Sequence, residues 1–356
     1  MTKLVVICGA GATLNESKAK AEIDQPPLDS GFFAQARTKY PDEFKLIQEY
    51  FIDNYSTDPA SPEFDSLEGM MSILYSDVYN PAVRGSNSAN AFRSLLKLIN
   101  SRIAETTNSI SPDSKTTLYQ IIKDALLVDG LERSDISIVT FNYDLIIEKT
   151  LFQLQKLSKI KKGGILLSFP YCYKLKQYRN SKSPHTIPQF EKHSIPTKTI
   201  EVLKLHGSLN WYSKHRSKEP SPKALLNSGR ELWVTARRRI RLDMTHSQKR
   251  KMYTFPIVVP PVTNKAAILH ESLTTVWQRS LEVLQEANKV IVFGYSCPAT
   301  DQESANLMIR GLRDSSELES LSIIDPSAWS LQRFADLTRA AKIHYYSSSA
   351  AYLNGK

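Results

Sequence analysis

Apolar residues crowd into four short runs: Lys3-Leu4-Val5-Val6-Ile7, Ile136-Ser137-Ile138-Val139-Thr140-Phe141, Lys289-Val290-Ile291-Val292-Phe293 and Leu321-Ser322-Ile323-Ile324. Runs of this length, β-branched and nearly continuous rather than alternating, predict strands buried on both faces. Between them the period changes. In Ala91–Ile99, Leu118–Leu127, Leu273–Leu284 and Leu307–Leu312 apolar residues recur three and four apart, which predicts helices with one apolar side. Strands alternating with helices predict an α/β chain, a Rossmann-like doubly wound parallel sheet.

Two stretches break the rhythm. Residues 31–115 are aromatic-rich and helical in pattern with no strand signal, and read as a helical insertion. Residues 151–255 contain polar, Pro- and Lys-rich segments such as Ser213–Pro222, which are loop signals. They read as a basic, loop-rich insertion, interrupted by a strand leading to His206. The expectation is one domain over 1–356, its core formed by 1–30, 116–150, 196–212 and 256–348. No internal repeat is visible.

Composition sharpens this picture in two places. Of 46 Lys+Arg and 36 Asp+Glu in the 356 residues, the stretch from Lys149 to Lys251 holds 24 basic and only 5 acidic ones. A basic middle on an acidic frame suggests a surface for something anionic, or else a solvated insertion. The three cysteines, Cys8, Cys172 and Cys297, are too few and too scattered for a disulfide framework or a Cys-x-x-Cys zinc site. With no apolar run of 18 residues and a short N-terminal run entering a glycine turn, the chain is expected to be cytoplasmic, without a membrane span or signal peptide.

Candidate chemistry gathers where the apolar runs end. Cys8-Gly9-Ala10-Gly11-Ala12-Thr13 is a glycine turn after a strand, a form that lets backbone N–H groups approach a phosphate. The third glycine of the dehydrogenase fingerprint is absent, and an ordinary strand-to-helix turn is the alternative. Thr140-Phe141-Asn142-Tyr143-Asp144 places two polar side chains at a strand end, with Asp144 equally readable as a helix cap. Val202-Leu203-Lys204-Leu205-His206-Gly207-Ser208 sets a histidine after an apolar run, a setting none of the other six histidines has. Gly294-Tyr295-Ser296 and Ile324-Asp325-Pro326 end the last two runs. They offer donors to a phosphate and an acceptor for a ribose diol, or simply turns.

Glycine turn, Thr-x-Asn-x-Asp, Leu-His-Gly-Ser, Gly-x-Ser and strand-end Asp, in this order, resemble the sirtuin superfamily, and within it the sirtuin-like NAD hydrolases of bacterial antiphage systems. The resemblance implies a cofactor-like substrate, NAD, with Gly9, Ala10, Gly11 and Thr13 lining the pyrophosphate loop. It implies Asn142 and Asp144 at the nicotinamide and ribose, and His206 as the catalytic histidine. It places Gly294 and Ser296 at ribose and phosphate, and Asp325 at the adenosine ribose. Two departures matter: no paired Cys-x-x-Cys follows His206, and Gln25–Phe33 replaces the Gly-Ile-Pro-Asp-Phe-Arg type segment. Zinc is therefore not expected, deacylation is disfavoured, and water becomes the nucleophile. The implied activity is NAD+ glycohydrolysis by a defence effector. The expected partners are further copies of the chain and a regulatory protein, such as a HerA-type ATPase or another defence protein. The competing reading is a non-catalytic nucleotide- or nucleic-acid-binding module using Arg237–Arg241 and Lys249–Lys251.

Overall fold

The computed structural model describes residues 2–18, 25–26, 29, 31–63, 66–80, 87–164, 166–167, 199–215, 220–226, 233–234, 253–262, 271–298, 301–340 and 342–355. Nine strands and thirteen α-helices lie among them. In chain order these are β1 (Leu4–Cys8), α1 (Ala10–Glu16), α2 (Phe32–Lys39), α3 (Pro41–Tyr55), α4 (Leu67–Tyr79), α5 (Ser88–Ser109), α6 (Thr117–Leu127), β2 (Ile136–Thr140), α7 (Ile146–Leu154), α8 (Ser158–Lys162) and β3 (Glu201–Lys204). There follow β4 (Gly207–His215), α9 (Pro222–Leu226), β5 (Trp233–Val234), β6 (Tyr253–Val258), α10 (Glu271–Gln285), β7 (Lys289–Phe293), α11 (Gln302–Met308), β8 (Ser320–Ile324), α12 (Ala328–Leu337), β9 (Lys342–Tyr346) and α13 (Ser349–Asn354).

Six strands form one sheet in the order β3-β2-β1-β7-β8-β9, every neighbouring pair parallel. This is the Rossmann-like α/β sheet that the apolar runs predict. Counting only its own strands, the order is 3-2-1-4-5-6, and the direction of winding reverses between β1 and β7. Every residue of β1, β2 and β3 is buried, because helices cover both faces of a parallel sheet. Burial fades toward the edge, and β9 exposes its first three residues.

Two features of the core hold polar groups inside. Glu201 of β3 takes a two-pronged ion pair from Arg279 of α10 (Nε to Oε1 3.0 Å, Nη2 to Oε2 3.2 Å), which pins that helix against the sheet. Among α2–α5, the layer between α1 and α6, Arg102 is fully buried. Its guanidinium donates to Gln25 O (3.0 Å), Gln35 Oε1 (2.8 Å) and Glu105 Oε2 (2.6 Å).

A second, three-stranded antiparallel sheet, β5-β4-β6, starts directly after β3. The apolar pattern does not announce it: β4 carries Ser208, Asn210 and Ser213 among its apolar residues, so neither alternation nor a continuous run is visible. Arg237–Arg241, Lys249–Lys251, Cys172, His185, His193, His246 and His270 lie outside the described residues. Among those described, no helix is long and apolar enough to cross a membrane.

Candidate functional site

Strand register gathers the segments that ended the apolar runs. Cys8 pairs with Thr140 and with Phe293, Thr140 with Lys204, and Phe293 with Ile324. The next one or two residues of each strand therefore share one lip: Gly9-Ala10, Phe141-Asn142, Leu205-His206, Gly294-Tyr295 and Asp325. This is the carboxyl edge of the sheet, around the point where the winding reverses, where open α/β sheets bind ligands.

The centre of the lip is a small hydrogen-bonded set. The Asn142 amide nitrogen donates to Gly9 O (2.7 Å) and lies 3.0 Å from Thr13 Oγ1. Thr13 Oγ1 in turn donates to Asp144 Oδ2 at 2.5 Å. Asp144 Oδ1 accepts the N–H of Ile146 (2.9 Å) at the start of α7, so Asp144 organises that helix end and also faces the glycine turn.

Beneath this set lies a buried ion pair. The Lys204 ammonium, with 0% exposure, donates to Glu148 Oε1 at 2.9 Å and to the carbonyl of Asp144. It ties β3 to the turn that carries Asn142 and to α7. A lysine inside the run Val202–Leu205 was the visible sign of a buried partner, but its identity was not.

His206, 6% exposed, stands among aromatic rings. Its centroid is 5.4 Å from Phe141, 6.2 Å from Tyr143 and 6.1 Å from Trp277 of α10. Phe141 also stacks on Tyr295 (4.1 Å, 15° between planes). None of these rings was singled out from the sequence. Trp277 belongs to an ordinary helical pattern more than seventy positions away.

The glycine turn meets Gly294 at backbone contact. Gly9 N donates to Phe293 O (3.2 Å) and Gly11 N to Gly294 O (2.9 Å). A Cβ on Gly9 would stand 2.6 Å from Gly294 O and 2.7 Å from the Tyr295 ring. The glycines at 9 and 294 thus have a packing requirement of their own, with two turn amides already spent inside the protein. Ala10 is exposed, and Ser296 is partly exposed beside the turn. Asp325 is buried, and its Oδ1 accepts Ser327 N (2.8 Å), closing the turn after β8.

Both described cysteines are unsuited to nucleophilic work. Burial, with Asp144 close by, pushes the Cys8 thiol far up, and burial raises that of Cys297, so both stay protonated. Among the described residues no group of three or more His, Cys, Asp or Glu is placed to hold a metal ion.

No family model matches the chain, and no curated protein matches it. Among solved structures it is similar to Sir2 in complex with the inhibitor EX-527, 2'-O-acetyl-ADP-ribose and deacetylated p53 peptide. That likeness has 11% identity and a TM-score of 0.36, over 99% of this chain and 90% of the other.

Proposed function

We propose that the chain is an NAD+ glycohydrolase that releases nicotinamide and ADP-ribose. The observation that carries this reading is the Asn142–Thr13–Asp144 set at the carboxyl edge of β1 and β2, with His206 at the same level of the neighbouring strand. A flat ring, a ribose and a diphosphate need polar groups strung along a crevice. Asn142, Asp144, Ser296 and Asp325 supply them in that order across the sheet.

The chemistry asks little of the protein beyond positioning and charge. Nicotinamide leaves the cationic pyridinium as a neutral molecule, so no general acid is needed. The ribosyl centre becomes oxocarbenium-like, a charge that the Asp144 carboxylate offsets. Asn142 holds the carboxamide end, water attacks the anomeric carbon, and His206 takes the proton from that water or from a ribose hydroxyl. No step uses a metal-bound group.

In the role implied by the sequence resemblance, the enzyme is a defence effector that depletes NAD in an infected cell. Unrestrained NAD loss is toxic, so activity is gated by self-association or by a partner protein such as a HerA-type ATPase. The segments 31–115 and 151–255 are the ones proposed to receive that control.

The test is incubation of the purified protein with NAD, following nicotinamide and ADP-ribose by chromatography. Asn142→Ala and His206→Ala should each abolish release in protein that still folds, with a lowered melting temperature, since Asn142 loses its hydrogen bonds to Gly9 and Thr13 and His206 its packing among rings. Wild-type turnover in either variant refutes the assignment. NAD that binds without being cut points to a missing activator, and NAD that does not bind removes the reading altogether.

A further inference from the structure

We propose that Tyr143 and Trp277 are positioning residues that hold the imidazole of His206 at the lip by clamping the backbone on both sides of it. The inference deepens the reading of His206 as the proton acceptor and rests on it for its kinetic part.

The geometry is a hydrogen-bonded loop from His206 through Val259 and Tyr143 to Leu209 of β4, with α10 attached beside it at Leu205. On one side of His206, the indole Nε1 of Trp277 donates to the carbonyl of Leu205 at 2.8 Å. On the other, the carbonyl of His206 itself accepts the N–H of Val259, also at 2.8 Å, just beyond β6. The carbonyl of Val259 then accepts the hydroxyl of Tyr143. Tyr143 brings the loop back to the strand that follows His206, because its own carbonyl accepts the N–H of Leu209 (2.9 Å) in β4. The two peptide units around His206 are thus fixed by donors from α10 and from the end of β6.

The same two side chains also flank the ring they position. Tyr143 and Trp277 lie at nearly equal distance from the imidazole, inclined by 36° and 35° to it, while Phe141 closes a third side at 64°. Free rotation of the histidine is therefore restricted by rings, and its Cα–Cβ direction by hydrogen bonds. The Tyr143 phenol is a dependable donor: burial, then the Asp301 and Glu68 carboxylates, push its ionisation far above the ordinary tyrosine range. Removing one hydroxyl leaves Val259 O without that donor, and a strand end so released is free to shift. A displacement of about 1 Å at a reacting group costs on the order of 100-fold in rate.

The experiment uses the full chain labelled with 15N at histidine, the His206 signals being assigned by their loss in His206→Gln. In Tyr143→Phe, the His206 backbone amide and imidazole nitrogen shifts should change, because the peptide units on both sides of the ring are released. For NAD cleavage, kcat should fall about 10- to 100-fold with KM within about twofold, since the step lost is made in the transition state. Trp277→Phe, which keeps a ring and loses the donor, should act in the same direction and serves where Tyr143→Phe does not fold. Unchanged imidazole signals in the folded variants overturn the proposal, as does an unchanged kcat. If wild type cleaves no NAD, the proposed function fails on its own, and the imidazole signals still decide whether the clamp exists.

Discussion

Gly294 adopts φ +58°, and a Cβ there would overlap the backbone of Gly11 and Ala12. Gly294→Ala therefore combines left-handed strain with backbone overlap, and neither can be relieved by turning a side chain. Stability should fall by more than about 1 kcal/mol, read as a lower urea midpoint with an unchanged slope. The loss of NAD cleavage should be larger than the stability loss explains, because the same overlap displaces the glycine turn from Asn142. This residue was legible as a turn after an apolar run. Its real constraint, the backbone of a segment almost three hundred positions earlier, was not, because close approach between distant segments leaves no local periodic mark.

Between elements, the Lys204–Glu148 pair joins β3 to α7 with exposures of 0% and 1%. Removing one partner strands a buried charge, which costs about 3–5 kcal/mol, whereas replacing both with apolar residues is often near neutral. Lys204→Met should therefore be strongly destabilised in chemical denaturation, and Lys204→Met/Glu148→Leu should recover much of the loss. Because Lys204 also holds the carbonyl of Asp144, the double variant should be folded yet slower on NAD. Equal stability of the single and double variants would refute the pairing. The strands themselves read clearly from the sequence where both faces are covered, as in β1 and β2. The antiparallel β4–β6 pairing did not, since its strands mix polar and apolar residues and meet only through long-range contacts.

For the whole molecule, Glu16 joins α1 to α6, its Oε1 accepting the N–H of Leu118 at 3.0 Å. Burial raises its carboxyl to about 7, against the pull of the helix-end donors. With an unfolded value near 4.5, the fold binds a proton that the unfolded chain has already released. Its contribution is full below about pH 4.5 and is lost as the pH rises to about 7. Glu16→Gln should flatten stability across that window, as measured by urea unfolding at a series of pH values. An unchanged pH profile would mean that the carboxyl titrates alike in the folded and unfolded chains. Since α1 also carries Thr13, wild-type NAD cleavage measured above and below this window reports whether the helix contact reaches the site.

The amino-acid sequence by itself determined the α/β class, the helix and strand periods, and the strand ends at which Asn142, Asp144, His206, Gly294 and Asp325 stand. Those follow from local patterning, because burial on two faces or one writes itself into neighbouring residues. Only the tertiary structure decided the order 3-2-1-4-5-6, the partnership of Asn142 with Thr13, the burial of Lys204 against Glu148, and the rings around His206. Each of these joins segments far apart in the chain. Such choices are made by packing and by the need to pair buried polar groups, which no window of adjacent residues encodes.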